Sequence, residues 1–254
     1  MRIIAKSIER GGKLVGKIKL LDAIGDYGAS ARDVRAQLDR LRGEGASDLL
    51  VSLDSPGGDA FAGLAIHDAI RGWSGGKRIV SICGLAASSA SVIAMAGDEI
   101  ELTPHSMVMI HEPKAVVGGL FGAMLDVRAL RKVEAKLEVC RSTMADVYAK
   151  RTNKPVEEIA KLMEEEKWYS AKDAVAAGFA TRVVEEEDDE DDEDEDLESA
   201  DRIRMVAQVA WERAPDAAKA LLERARKPAL KKPAPAPRAQ QTVIACDVPS
   251  YRIR

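Results

Sequence analysis

The amino-acid sequence predicts an α/β domain, parallel strands covered by helices, over residues 1–184 of its 254. Three observations carry that reading. Apolar runs of strand length alternate with amphipathic runs of helix length, the order that builds a parallel sheet with helices packed on it. Glycine, proline and serine punctuate the joins between them. A dense acidic block then ends the alternation after Val184.

The elements follow in order. Ser30 stands where a helix cap is needed, Asp33 follows three residues on, and Val34, Leu38 and Leu41 form one apolar stripe. LLVSLDSPGG (49–58) is a short apolar strand ending in a tight turn, and Phe61 to Arg71 is again helical. Ile79 to Cys83 reads as a strand with Gly84 opening a turn, and Ser88 to Ala96 as a helix of small residues. Glu99 to Leu102 and Met107 to Ile110 are strand-like. Leu120 to Lys150 is a long amphipathic helix whose apolar positions, among them Phe121, Met124, Val127, Leu130 and Leu137, spread wider than one stripe. One small domain cannot easily bury them, so this helix is expected to supply the interface of a ring-forming oligomer. Pro155 suits the first position of the next helix. Ser170 caps a short helix closed by Gly178, and Phe179 to Val184 returns as a strand.

Beyond the domain the composition changes. Residues 185–198, EEEDDEDDEDEDLE, hold 13 acids and no base, and without them the net charge of −4 becomes +9. Such a block repels itself, so 185–199 is expected to be a disordered linker. Residues 200–254 read as a tail: Ile203, Val206 and Val209 at helical spacing, Pro215 splitting two short helices, then the basic, proline-rich KPALKKPAPAPR. Cys83, Cys140 and Cys246 are far apart with no CxxC spacing, which argues against a zinc site or disulfide framework and for a reducing cytoplasm. No leader-like apolar stretch and no run of about 18 apolar residues occurs, so a membrane partner is not expected; nor is a nucleic-acid partner.

Three segments can carry chemistry. GLAASSAS (84–91) places serines at a helix start after a strand, where unpaired N–H groups favour developing negative charge. It is not GxSxG, so the α/β-hydrolase elbow does not apply. SPGGDAFAG (55–63) forces a turn in which glycine lets a backbone N–H approach a ligand. MIHEP (109–113) sets His111 at a strand end before a proline, whereas His67 lies mid-helix and His105 follows a proline, both suited to packing or surface roles. Each segment alone has an ordinary structural reading: a tightly packed helix, a strand-to-helix loop, a structural histidine.

Together, SPGG, GLAASS and MIHEP in this order and spacing, with the long helix and EKWYSAKDAVAAGFATRVV (166–184), resemble the ClpP family of serine peptidases over about residues 14–184. Within it, GLAIHDAIR, ASSASVIAMAGD and EKWYSA resemble the phage-encoded head-maturation proteases. The resemblance implies a ClpP/crotonase-like β/α superhelix assembled as a homo-oligomeric ring. It implies Ser88 as nucleophile, His111 as base, and the backbone N–H groups of Gly58 and Ser89 as oxyanion donors. The family's third residue, usually aspartate, falls on Glu166, whose longer side chain can still orient an imidazole; Asp173 is a weaker candidate, and Glu164 and Glu165 are neighbours in an acidic run. Ser89 and Ser91 rival Ser88 only in a shifted register. The implied partners are protein or peptide substrates, capsid or scaffold proteins among them, and no metal or nucleotide cofactor is implied. No GxxxxGK[ST] occurs, so the chain is not its own ATPase. Three rival readings share parts of the pattern: a signal-peptide-peptidase-like Ser/Lys protease, a crotonase-type acyl-CoA lyase, and an inactive capsid scaffold or adaptor.

Overall fold

A hairpin precedes the elements expected from the alternation. Strands β1 (Ile4–Arg10) and β2 (Lys13–Leu20) pair antiparallel. Gly11 and Gly12 join them with φ of 60° and 74°, the positive pair that a two-residue hairpin turn requires. The structure is a computed structural model, and it describes residues 3–26, 28–115 and 126–184. The expectations for the acidic linker and tail (185–254) and for Leu120 to Leu125 lie outside the described residues.

The chain continues as α1 (Ala31–Gly43), β3 (Asp48–Ser55), α2 (Ala60–Arg71), β4 (Arg78–Ala87), α3 (Ser89–Ala94), β5 (Glu99–Leu102), β6 (Met107–Ile110), α4 (Val127–Thr152), α5 (Val156–Glu164), β7 (Lys167–Ser170), α6 (Ala171–Ala176) and β8 (Arg182–Val183). One sheet runs in the order β1-β2-β3-β4-β5-β8, and β6 pairs with the far end of β4 and with β7. The sheet is mixed rather than wholly parallel, because β6 and β7, like the hairpin, pair antiparallel. Ser30 caps α1 by accepting from Asp33 N–H, and Ser170 caps α6 by accepting from Asp173 N–H. Val34, Leu38 and Leu41 are buried, as their spacing predicts. They join Leu49, Val51 and Leu53 of β3, Ile66 and Ile70 of α2, and Val80 and Ile82 of β4 in one core. Each such side chain, fully buried, contributes about 1.5–3 kcal/mol.

Four boundaries differ from the sequence reading. Gly84 does not open a turn: β4 runs through it to Ala87. Its missing side chain serves a close approach instead, since a Cβ there would stand 2.7 Å from Asp54 Oδ1. That oxygen accepts the Leu85 N–H at 2.8 Å, where the β3–β4 register shifts between Leu53 and Ser55. Pro155 flanks α5 rather than starting it, with an extended ψ of 141°. α3 is shorter than Ser88 to Ala96, and Ser88 stands outside it. The last strand narrows to Arg182–Val183, the preceding Phe179 being buried in the core.

Candidate active site

The two halves of β4 do different work. Its first half lies between β3 and β5; its second half, Leu85 to Ala87, pairs with β6. The strand that delivers Ser88 therefore lies beside the strand that delivers His111. Ser88 N–H donates to Met109 C=O at 3.0 Å, which ties the serine to the histidine's own strand two residues before it. His111 Nε2 lies 2.7 Å from Ser88 Oγ. Ser88 takes φ 56° and ψ −127°, a conformation that L residues rarely adopt and that costs about 1–3 kcal/mol. Ser91 helps hold it there: Ser91 N–H and Oγ both donate to Ser88 C=O, at 3.0 and 2.6 Å. Ser91 Oγ also meets the buried Tyr148 hydroxyl of α4 at 2.7 Å; burial raises the Tyr148 phenol well above its ordinary range, against the opposing pull of this bond.

These contacts separate the serines. Ser91 is wholly buried and committed to structure. Ser89 is equally buried, and its hydroxyl has no hydrogen-bond partner among the described residues. Ser88 alone of the three is partly exposed, with its hydroxyl against an imidazole.

The SPGG turn folds against the same point. Ser55 Oγ donates to Asp22 C=O at 2.6 Å and accepts the Gly57 N–H at 3.1 Å. Ile24 N–H donates to Gly57 C=O at 3.0 Å, and Asp59 N–H donates to Ile24 C=O at 2.9 Å. These bonds engage the N–H groups of Gly57 and Asp59 and leave that of Gly58 out. Gly57 has φ 86°, and a Cβ on it would stand 2.4 Å from Ala87 O, 2.8 Å from Ser88 Cβ and 3.0 Å from Ser89 N. Only glycine lets the turn lie this close to the serine. The Ser89 N–H, at the first position of α3, has no partner within its helix. Such N–H groups beside a serine hydroxyl are the donors an oxyanion needs.

Glu166 approaches without closing. Its Oε2 stands 4.0 Å from His111 Nδ1, and 3.0 Å from Lys114 Nζ. Partial burial pushes this carboxyl up, but the Lys114 hydrogen bond and charge, with that of His111, outweigh it and hold it below its ordinary value. Glu166 has φ 52°, and its N–H shares the Met163 carbonyl with the Glu112 N–H, each at 3.2 Å. One carbonyl thus pins both the histidine loop and the glutamate turn. Asp173 is occupied in its capping turn, its carboxylate accepting from Ser170 Oγ at 2.7 Å. Lys114, Met163 and Tyr148 carry no signal in the sequence that would mark them as neighbours of the site. His67 pairs with Asp68 at 2.9 Å.

Comparison with known proteins agrees with this geometry. A family model described as Clp protease matches residues 15–187, more than half of the chain. An ATP-dependent Clp protease proteolytic subunit from Porphyromonas gingivalis is 34% identical over 167 residues, covering 64% of this chain and 70% of the relative. A proteolytic subunit 2 from Thermobifida fusca is 32% identical, covering 54% and 65%, and a proteolytic subunit 1 from Chlamydia felis is 34% identical, covering 61% and 74%. With its α/β sheet, its serine–histidine pair and these relatives, the chain belongs to the Clp protease family of serine peptidases.

Proposed function

We propose that this chain hydrolyses peptide bonds with Ser88 as nucleophile, His111 as general base, Glu166 as the acid that stabilises the imidazolium, and the Gly58 and Ser89 N–H groups as the oxyanion hole. The observation that carries the assignment is the 2.7 Å contact between His111 Nε2 and Ser88 Oγ at a strained serine. His111 takes the hydroxyl proton as Ser88 attacks the substrate carbonyl, and the two N–H groups receive the oxyanion. His111 then gives its proton to the leaving amine. Water, deprotonated by the same imidazole, releases the acyl group and restores the serine. Loss of one oxyanion donor in such a site costs about 100- to 1000-fold.

The finer reading concerns the substrate. GLAIHDAIR, ASSASVIAMAGD and EKWYSA, with an acidic block followed by a basic, proline-rich stretch, favour a head-maturation protease that cleaves capsid or scaffold proteins in a host cytoplasm. Among the described residues no helix is long and apolar enough to cross a membrane. The chain lacks a phosphate-binding loop, so it cleaves disordered or assembling substrates unaided or relies on a separate unfoldase.

The test compares Ser88→Ala with the parent on an unstructured fluorogenic peptide and on a co-expressed capsid precursor. Peptide hydrolysis should fall by more than about 1000-fold with the circular dichroism unchanged. Hydrolysis surviving in the variant would remove Ser88 as nucleophile. An active parent that leaves the precursor uncut would remove the capsid assignment alone.

A further inference from the structure

Lys114 stands three residues beyond His111, on the loop that leaves β6. Its ammonium is 3.0 Å from Glu166 Oε2, the same oxygen that stands 4.0 Å from His111 Nδ1. A nitrogen–oxygen hydrogen bond closes at roughly 2.7–3.2 Å, so the carboxylate is within Lys114's reach and outside the imidazole's. The backbone does not decide this. Glu166 and Glu112 are both held by the Met163 carbonyl, so the carboxylate's position is set by rotation of its side chain, which the Trp168 side chain also engages. The Lys114 side chain is 69% exposed and that of Glu166 33%, which puts the pair on the rim of the site. An ion pair there is weak and open to screening by salt.

We propose that Lys114 is a positioning residue that holds the Glu166 carboxylate off His111, so that the acid of the triad rests on the rim until the ion pair opens. The inference rests on the assignment of Ser88 and His111 given above. When the pair opens, one rotation brings the carboxylate toward Nδ1, where it stabilises the imidazolium that forms as Ser88 loses its proton; that proton stays on the imidazole, not the carboxylate, until it passes to the leaving amine. Among the described residues, the charged groups around this point include Glu112 and Lys114 on the histidine loop, Glu166 before β7, and Arg141 and Glu164, which line the cleft beside Glu112. Glu112 is turned toward Arg141 of α4, 3.8 Å away, and so does not compete for Lys114.

The experiment is a kinetic comparison of the full chain with Lys114→Met, Lys114→Arg and both changes repeated in a Glu166→Gln background. Lys114→Met should raise kcat about two- to fivefold with KM little changed, the scale of one surface ion pair. It should also move the acid limb of kcat/KM to higher pH, because a cation leaves the imidazole's surroundings and a carboxylate approaches. Lys114→Arg should keep the parent's values. Added salt should raise the parent's kcat toward that of Lys114→Met and leave the variant flat. With Gln at 166, Lys114→Met should leave kcat unchanged and move the acid limb less than it does in the parent, since only the loss of the cation remains. A fall in kcat in Lys114→Met, or an unchanged kcat and acid limb while Ser88→Ala is inactive, overturns the Lys114 inference and leaves the catalytic assignment standing. Activity retained in Ser88→Ala overturns both.

Discussion

At the scale of single residues, two histidines illustrate how local chemistry divides otherwise identical side chains. His67 sits in α2, largely buried, and burial lowers its basicity despite the Asp68 carboxylate at 2.9 Å. Its neutral form is therefore favoured in the folded protein. The stability this contributes is fully present above the unfolded value of about 6.5 and is lost as pH falls through the lowered folded value. In urea titrations at pH 7.5 and 5.5, His67→Gln should lose less stability on acidification than the parent; equal losses would show that His67 does not titrate in folding. His111, by contrast, meets a serine hydroxyl at 2.7 Å. The order of SPGG, GLAASS and MIHEP makes that pairing legible in the sequence, because each motif ends a strand of one sheet. The state of Glu166 was not legible. Its place before Trp168-Tyr169-Ser170 makes it the proposed third residue, but nothing in HEPK shows that Lys114 bonds its carboxylate.

At the scale of elements, the helices were readable from caps and stripes, whereas the strands at the margins were not. β1 and β2 mix lysines and arginine with apolar residues, and β7 has four residues, so neither offers a clean period-two pattern. Gly84 misled because glycine in a strand marks a bulge or close approach as readily as a turn, and here Asp54 fills the space. Gly63 of α2 plays a comparable part beneath the site. A Cβ on it would stand 2.6 Å from Ser89 Cβ and 3.1 Å from Ser89 O, forcing α2 and α3 apart. Alanine would gain about 1 kcal/mol in helix propensity. Overpacking against backbone costs about 1–3 kcal/mol and outweighs it here, because neither contact is with the end of a flexible side chain. Gly63→Ala should therefore lower the urea midpoint and, by displacing the Ser89 N–H, reduce kcat more than it raises KM. A more stable variant with unchanged kcat would show that the two helices separate freely.

At the scale of the whole molecule, α4 divides into a buried half and an exposed one. Cys140, Met144, Ala145 and Tyr148 are in the core, while Val127 and Val139 are each 64% exposed and Leu130 47%. Exposed apolar side chains along one helix support the expectation that it meets other subunits of a ring. Light scattering on residues 1–184 should report an oligomer that Leu130→Asp and Val139→Asp together dissociate; a stable monomer at micromolar concentration would contradict it. The same truncation should retain small-peptide hydrolysis, since residues 3–26, 28–115 and 126–184 contain every group assigned to the site. The central claim, that the chain is a peptidase acting through Ser88, is tested most directly by treating the intact protein with a fluorophosphonate and weighing it. One adduct per chain is expected, mapped by peptide digestion to Ser88 and absent from Ser88→Ala and His111→Ala. An unlabelled parent, or a label on Ser89, Ser91 or any other residue, would contradict it.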